Sequence, residues 1–441
     1  MISTGRTGDA RRMRQFIMSL SALAVCARGR AWADSAATET APATAPAGPP
    51  PAAWIDPDTG HRVHRLTAEP GSTGFYFNIN AYTSDGKRMV YTAPDGIHVL
   101  ELASGNARLV VPGKVRAIVV GRKTPTVFFS KPDEKEKGVY SANLDTSEIK
   151  KLTTLPPRGN VSTVNADETL AAGTYIEGTA GQDYGENKIL PPGQSGPLVQ
   201  PVNKAQMMEE RLAAKLPLVL FTVNLEDGKL TPLLHSTDWI NHLLFSPTDP
   251  ALLMYCHEGA WQKVDRIWNI HTDGSQNQLI HKRMMANEIA GHEFWGIDGK
   301  TLWYDLQTPK GEDFFLAGYT PATGERRWYH MQRDEWSIHF NVTADEKLFC
   351  GDGGDPGQVA KAQDGEWIEL FRPQLLRPSG INDKDLVQPG VFHSERLVNM
   401  SKHNYKLEPN VRFSPDNKMV IFTSNMFGPS YVFGVEVEKA K

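Results

Sequence analysis

The sequence has few cysteines, no long apolar run and no large excess of charge of either sign. Three cysteines among 441 residues permit at most one disulfide. No apolar run reaches the roughly 18 to 20 residues that a membrane-spanning helix requires. A net charge of −4 offers no basic surface for nucleic acid. These absences exclude a membrane channel and a DNA-binding protein, and a hydrophobic content of 40% excludes disorder as the main state.

The first 33 residues are typical of an export signal. A basic stretch precedes an apolar run over 16–27, and a small-x-small pattern that a signal peptidase cleaves follows. The residues of these two motifs are Arg11, Arg12 and Arg14, and Ala31, Trp32 and Ala33. The sequence therefore predicts a signal peptide over 1–33 and a periplasmic or secreted protein, with the paired arginines leaving a twin-arginine route open. A disordered basic tail is the alternative.

An Ala/Pro-rich linker is predicted over 34–53, and a single domain over 54–441. Cleavage after residue 33 leaves Cys256 and Cys350, both in apolar strand-like runs, so we expect two buried thiols rather than a disulfide. The signal segment contains six arginines and one aspartate, so its removal makes the chain more negative. An anionic substrate then needs a local positive site, because the overall field would repel it.

A polar turn followed by an apolar strand recurs through the domain. The spacing is about 40 to 50 residues in most copies, which is typical of a repeat fold. Seven copies can be counted, with apolar strands at 89–91, 127–129, 170–172, 252–255, 302–304, 348–350 and 420–422. Four short strands per copy would make one blade, and seven radial blades bury their faces against one another. The sequence therefore predicts an all-β, seven-bladed β-propeller.

Two intervals between copies of the repeat are longer than the others and predict insertions. Strand-like segments at the two ends of the domain are predicted to close the ring. The insertions are expected around 178–214 and 352–395, the first with a short helix near 207–215. The strand-like segment 62–66 is expected to pair with the region 431–437 and complete the last sheet.

Polar side chains concentrate in the second half of the domain. His257, His292 and His339 recur about one blade apart, and equivalent positions in consecutive blades converge near the central channel, where a metal or a general base would act. Other polar and aromatic residues are interpreted as packing or turn residues, with one tryptophan as an alternative sugar-stacking surface. These are His235, His271, His281, Trp261, Trp268, Trp295, Trp303 and the run 351–355.

Several short motifs in order resemble one enzyme family. The motifs are His257-Glu258-Gly259, Val264-Asp265-Arg266 with Trp268, His292-Glu293-Phe294-Trp295, His339, Gly351-Asp352-Gly353 and Phe413-Ser414-Pro415-Asp416. With them the chain resembles the oligogalacturonate lyases, polysaccharide lyase family 22, over roughly 54–437. The resemblance implies a seven-bladed propeller that splits short pectic oligomers by β-elimination. In such a reaction a cation neutralises the uronate carboxylate while a base removes the C5 proton.

The resemblance also assigns roles to individual residues. It implies that His292 is the base and that Arg266 contacts the substrate; His257 is the second candidate for the base. It further implies a divalent metal, usually manganese, held by His339 and by a cluster just before residue 413. In that cluster the family has Gln-x-x-His-Pro-His, whereas this chain has Tyr405, Glu408 and Asn410.

This departure leaves the metal and the substrate open. Glu408 and Asn410 still offer oxygen ligands suited to manganese, magnesium or calcium, and His403 is a possible substitute ligand. Alternatively, Arg266 or Arg412 neutralises the carboxylate without a metal. The substrate is expected to be oligogalacturonate, with another uronic acid linkage as the second candidate. A non-catalytic propeller that binds glycans or proteins is the third.

Overall fold

The computed structural model describes residues 49–178, 204–353, 362–377 and 386–441. The predicted signal peptide and most of the linker lie outside these residues, as do parts of both predicted insertions. Among the described residues the regular secondary structure is almost entirely β-strand. Its strands in the first half are β1 (Ala53–Ile55), β2 (His61–Arg65), β3 (Arg88–Ala93), β4 (Gly96–Glu101), β5 (Ala107–Pro112), β6 (Arg116–Val120), β7 (Thr126–Ser130), β8 (Gly138–Asn143), β9 (Ile149–Thr154), β10 (Asn160–Val164), β11 (Leu170–Ile176), β12 (Leu218–Asn224) and β13 (Leu230–Ser236).

The strands of the second half follow the same pattern of short antiparallel hairpins. They are β14 (Trp239–Phe245), β15 (Leu252–Glu258), β16 (Ile267–His271), β17 (Gln278–Leu279), β18 (Ile289–Trp295), β19 (Leu302–Gln307), β20 (Phe314–Thr320), β21 (Glu325–Met331), β22 (Phe340–Val342), β23 (Phe349–Gly351), β24 (Trp367–Leu375), β25 (Gln388–Asn399), β26 (Arg412–Phe413), β27 (Met419–Ser424) and β28 (Tyr431–Lys439).

In the described residues these strands form seven blades. Blade 1 is β3–β5, blade 2 is β6–β9, blade 3 is β10–β13, blade 4 is β14–β17, blade 5 is β18–β21, blade 6 is β22–β25, and blade 7 is β26–β28 with β2 and β1. Blades 5 and 6 share one continuous sheet because β21 and β25 pair in parallel. The first strands of neighbouring blades contact one another, as β10 does with β6 and β14, so they are the innermost strands. The predicted seven-bladed propeller is confirmed.

In six of the seven blades the apolar strand of the predicted repeat lies between two other strands of its sheet; in blade 1 it is β3, the first of three. In blade 5 this strand is β19, all six of whose residues are buried. A strand covered on both faces shows a continuous apolar run rather than strict alternation, which is why these segments were visible in the sequence. Aromatic side chains such as Trp303 and Phe349 meet edge to face between adjacent blades, with ring centroids 5.0 Å apart.

The two ends of the domain close the ring in one sheet, as predicted. Strand β2 pairs antiparallel with β28, with His64 opposite Gly434 and Arg65 opposite Phe433. Blade 7 therefore contains strands from both ends of the domain. Their pairing leaves no free strand edge where the ring closes.

The predicted insertions are confirmed only in part. A helix, α1 (Lys204–Ala214), occupies the end of the first, as expected. In the second, part of the extra length lies in β24 and β25, the outer strands of blade 6, which run to nine and twelve residues; 354–361 and 378–385 lie outside the described residues. None of the helices in the described ranges is long and apolar enough to cross a bilayer. Cys256 and Cys350 are free and buried, as expected.

Glu369 on β24 is a buried carboxyl group that makes stability depend on pH. Burial raises its pKa to about 8, although Arg396 Nε lies 3.7 Å from Oε1, because burial and three nearby carboxylates outweigh that one cation. A carboxyl group whose pKa is raised by folding loses stabilising free energy as pH rises from its unfolded value towards 8.

We therefore expect the free energy of unfolding of the wild type, relative to Glu369→Gln, to fall by roughly 4 kcal/mol between pH 4.5 and 8. Urea titrations of both proteins across this range measure the difference. A constant difference at all pH values would contradict the assignment.

Candidate active site

Histidines on or beside the innermost strands of blades 4, 5 and 6 converge around Tyr76. His242 is on β14, His292 is on β18, and His339 directly precedes β22. The ring centroid of Tyr76 lies 6.3 Å from that of His242 and 5.4 Å from that of His339, and the rings of His292 and His339 are 5.1 Å apart. The equivalent residue in blade 4 is thus His242, whereas His257 was expected there; His257 lies on β15.

Two of these histidines lie at β-bulges, one in blade 4 and one in blade 5, which change the direction of their side chains. The pairing register shifts between Asn241 and Leu244 in blade 4, and between Gly291 and Phe294 in blade 5. His242 and His292 have φ values of 49° and 47°, in the left-handed region that few residues other than glycine adopt. Bulges and left-handed residues carry a conformational cost and are frequent beside active sites.

His292 and Asp305 form an oriented pair. Asp305, on β19, is fully buried, and its Oδ1 lies 3.1 Å from His292 Nδ1. In this geometry Nδ1–H donates to the carboxylate, so the lone pair of the imidazole is on Nε2. His292 also lines the cavity described below. The arrangement is that of a general base held in one tautomer by a carboxylate.

His339 forms a second oriented pair, with Asp352. The backbone N–H of His339 donates to Asp352 Oδ1 at 3.2 Å, and its Nδ1 bonds Oδ2. Burial alone would lower the pKa of His339, but the carboxylates of Asp352 and Glu408 outweigh it and raise the pKa. Nε2 is buried without a hydrogen-bond partner among the described residues and lies 3.8 Å from Glu408 Oε2. The planes of the His292 and His339 rings are nearly perpendicular, at 86°.

Arg266 is the centre of a buried ionic cluster. Its Nε donates to Glu293 Oε1 at 2.5 Å and its Nη1 to Glu258 Oε1 at 2.6 Å. Burial would raise the pKa of Glu258 and of Glu293, but Arg266 and then His242 outweigh it and hold both carboxyl groups below their ordinary range. The guanidinium also lies 4.9 Å above the Trp261 ring. Arg266 is therefore held by protein carboxylates on two of its three nitrogens.

These groups border one open cavity of about 540 Å³. Its lining includes His242, His292, Arg266, Glu258 and Glu408. Polar and aromatic side chains of blades 2, 3 and 4 and of α1 continue the lining away from this cluster. The cavity thus joins an oriented base to a longer channel that could hold an extended ligand.

Of the four residues proposed as metal ligands, the structure brings His339 and Glu408 together. Asn410 Oδ1 accepts the backbone N–H of Phe77 at 3.1 Å, and its Nδ2 donates to the Glu408 carbonyl at 3.0 Å, so the amide is bonded to the protein through both atoms. His403 Nδ1 contacts Ser424 Oγ and its Nε2 contacts the Leu407 carbonyl, which places both ring nitrogens in other bonds. No group of three or more His, Cys, Asp or Glu side chains in the described ranges is arranged to hold a metal.

Two further predicted residues lie apart from the oriented pairs. His257 Nδ1 is 3.2 Å from Asp238 Oδ2, and its ring packs 5.2 Å from Trp268. Arg412 donates to the backbone carbonyls of Ile79, Phe75 and Tyr76, so its guanidinium fixes the loop before β3. Of the tryptophans interpreted as packing residues, Trp261 borders the cavity and donates its indole N–H to Glu258.

His242, Asp305 and Tyr76 were not predicted from the sequence. Asp305 could have been found, because it is a lone acid inside the apolar run of β19, and a buried charge in such a run needs a partner. His242 also stands in a mostly apolar strand, but only the bulge shows where it points. Tyr76 lies in a loop with no distinguishing pattern.

A sequence model of the family described as "Oligogalacturonate lyase" matches residues 52–440. The chain belongs to this family. It is 27% identical over 408 residues to an oligogalacturonate lyase of Dickeya dadantii, and 24% identical over 402 residues to an oligogalacturonide lyase of Pectobacterium atrosepticum. Each comparison covers 87% of this chain and 95% of the relative. The membership expected from the motifs is confirmed.

Solved structures of the same family share the fold. An oligogalacturonate lyase from Vibrio parahaemolyticus superimposes with a TM-score of 0.69 at 21% identity, covering 88% of this chain and 96% of the other. An oligogalacturonate lyase in complex with manganese superimposes with a TM-score of 0.68 at 22% identity and the same coverage. At this level of identity the likeness establishes the propeller and not the roles of individual residues.

Proposed function

We propose that this protein cleaves oligogalacturonate by β-elimination, with His292 as the base. The observation that carries the proposal is the His292–Asp305 pair at the border of an open cavity, in a chain of the oligogalacturonate lyase family. Asp305 holds the imidazole so that Nε2 can accept a proton. The bulge in β18 turns the side chain towards the cavity rather than into the blade.

The reaction balances with these groups. His292 Nε2 takes the C5 proton of the uronate, the C4–O bond breaks, and a double bond forms between C4 and C5. The glycosidic oxygen leaves as an alcohol by taking up a proton from water, and His292 later returns the C5 proton to water, so no proton is gained or lost overall. Negative charge develops on the uronate carboxylate as C5 loses its proton, so the step requires positive charge beside that carboxylate.

A divalent metal, manganese first, is part of the proposal. The manganese complex of a similar protein supports it, as does the unpartnered His339 Nε2 lying 3.8 Å from Glu408 Oε2. These two side chains would hold the ion, since an imidazole nitrogen and a carboxylate oxygen both suit manganese. A bound divalent ion would neutralise the uronate carboxylate. Asp352 fixes the His339 tautomer, which is the usual role of a carboxylate behind a metal-binding histidine.

Removing the metal is expected to abolish turnover. Treatment with a chelator should reduce the rate to background, and manganese should restore it, because neither Arg266 nor Arg412 is free of protein partners to replace the ion. Product formation before and after chelation, and with added manganese, measures this. Full activity in chelator would contradict the metal proposal and favour neutralisation by arginine.

The cluster at 405–410 differs from that of the family, and for this reason another uronate oligomer is kept as the second candidate substrate of the same β-elimination. Tyr405 donates its hydroxyl to the Asp352 carbonyl at 3.0 Å, and so supports the His339 pair from behind. Such a change beside the cavity is a reason to test oligomers of other uronic acids. The panel should contain oligogalacturonate and other uronate oligomers, with the ultraviolet absorbance of the unsaturated product as readout. Oligogalacturonate should react fastest, and a faster reaction on another oligomer would reassign the substrate.

Export to the periplasm or outside the cell completes the proposal. Its support is the pattern of residues 1–33. Fractionation of the producing cells, followed by N-terminal sequencing of the recovered protein, tests it. A chain that stays in the cytoplasm with its first residues intact would contradict export.

A further inference from the structure

The cavity beside His292 continues to the inner ends of blades 2 and 3, where it is lined by cations. Arg116 begins β6, Lys137 precedes β8, and Arg158 precedes β10, and all three line the same cavity as His292. Arg116 Nη1 donates to Asn160 Oδ1 at 2.6 Å and its Nη2 to the Val161 carbonyl at 3.1 Å. These bonds tie the two blades together through neutral acceptors.

Arg158 has an unusual backbone conformation and a buried side-chain donor. Its φ of 58° lies in the left-handed region, and its Nη1 is buried without a hydrogen-bond partner among the described residues. Among the described residues no carboxylate lies within ion-pair distance of its guanidinium. A buried donor left unpaired costs free energy, which an anionic ligand would recover.

The charges along the cavity are distributed unevenly. Among the described lining residues, the acids are Glu258, which pairs with Arg266, and Glu408, which lies beside the buried His339. The part at blades 2 and 3 has Arg116, Lys137 and Arg158, although the whole chain carries a net charge of −4. A local positive region on a negative protein concentrates anions at that place.

We propose that Arg158 and Lys137 form an anion-binding subsite for the carboxylate of a second uronate residue, away from the one whose C5 faces His292. The subsite rests on the proposed function and specifies its substrate as an oligomer with a free carboxylate on a sugar beyond the reacting unit. Trp239 also lines the cavity beside these blades, with Arg211 stacked 4.2 Å from the centre of its ring, so this part of the cavity has an aromatic side chain as well as cations. The guanidinium of Arg158 binds the carboxylate by charge-assisted hydrogen bonds.

Kinetics of Arg158→Gln, Lys137→Gln and the double variant on oligogalacturonate test the subsite. We expect KM to rise about 10-fold or more in the double variant with kcat within about 2-fold, because a contact made equally in ground and transition states changes KM alone. The matched control is Lys150→Gln, which removes an exposed charge paired with Glu148 on the outer strand of blade 2. Its KM should match the wild type. Oligomers with methyl-esterified carboxyl groups should not distinguish the variants from the wild type.

A double variant with wild-type KM overturns the subsite. Should Arg158→Gln fail to fold, as judged by its thermal midpoint, Lys137→Gln alone decides, since Lys137 is exposed. Should the wild type give no product from any uronate oligomer, the proposed function fails, and calorimetric binding of the same oligomers still tests the subsite. Equal affinities of the wild type and the double variant then overturn it, and weaker binding to the variant supports it.

Discussion

Replacing His292 by alanine is expected to lower the turnover of unsaturated product by at least about 100-fold, the usual scale for loss of a general base. The structural reason is that Asp305 fixes His292 Nδ1 and leaves Nε2 as the basic atom beside the cavity. Because His292 has a left-handed φ of 47°, alanine there also adds backbone strain. His292→Asn, which tolerates this conformation, separates the loss of the base from the strain.

The matched control is His257→Ala. His257 bonds Asp238 and packs on Trp268, outside the cavity lining, so its removal should leave turnover within a few-fold of the wild type. Initial rates and thermal midpoints of the three variants give the comparison. A collapse in His257→Ala alone would transfer the role of base to His257, and a His292→Asn variant with near wild-type turnover would reject His292.

Replacing Arg266 by alanine is expected to destabilise the fold by about 3 to 5 kcal/mol, because it leaves buried carboxylates without their countercharge. Glu258 is 3% exposed and Glu293 is fully buried, so water cannot solvate either of them. Arg266→Lys keeps the charge but not the fork that reaches both carboxylates, and should cost less. Denaturant unfolding of the wild type and both variants measures the loss.

A compensating variant separates charge balance from packing. The triple variant combines Arg266→Met, Glu258→Gln and Glu293→Gln. No unpaired charge remains among these three side chains, so most of the lost stability should return. Equal destabilisation of the single and triple variants would show that packing on Trp261, rather than the ion pairs, matters at this site. A change below about 1 kcal/mol in Arg266→Ala would contradict the buried cluster altogether.

The architecture was predictable because each blade repeats the same local pattern. A polar turn and a continuous apolar strand were visible in all seven copies, and the closing strand at 62–66 could be matched to its partner. Part of the length predicted as the second insertion belongs to β24 and β25, which are long strands. Extra length in a strand gives no turn signal and cannot be told from an insertion by spacing alone.

Only those site residues whose type, spacing and motif indicate a chemical role could be predicted from the sequence. His292 and His339 stood out by their spacing and motifs. The acids that orient them, Asp305 and Asp352, are each 13 residues away along the chain, Asp305 on the neighbouring strand β19 and Asp352 directly after β23. The equivalence of His242 and His292 depends on bulges, and the pairing of Arg266 with Glu293 joins two blades. Such contacts depend on register and blade packing, which a single sequence does not determine.

The mass of the products formed from oligogalacturonate tests the central claim most directly. β-Elimination adds no water, so the masses of the two fragments should sum to the mass of the substrate, and one fragment should have a C4–C5 double bond at its new end. The His292→Asn variant should form neither fragment at a comparable rate. Fragments whose summed mass exceeds that of the substrate by one water would identify a hydrolase and contradict the account.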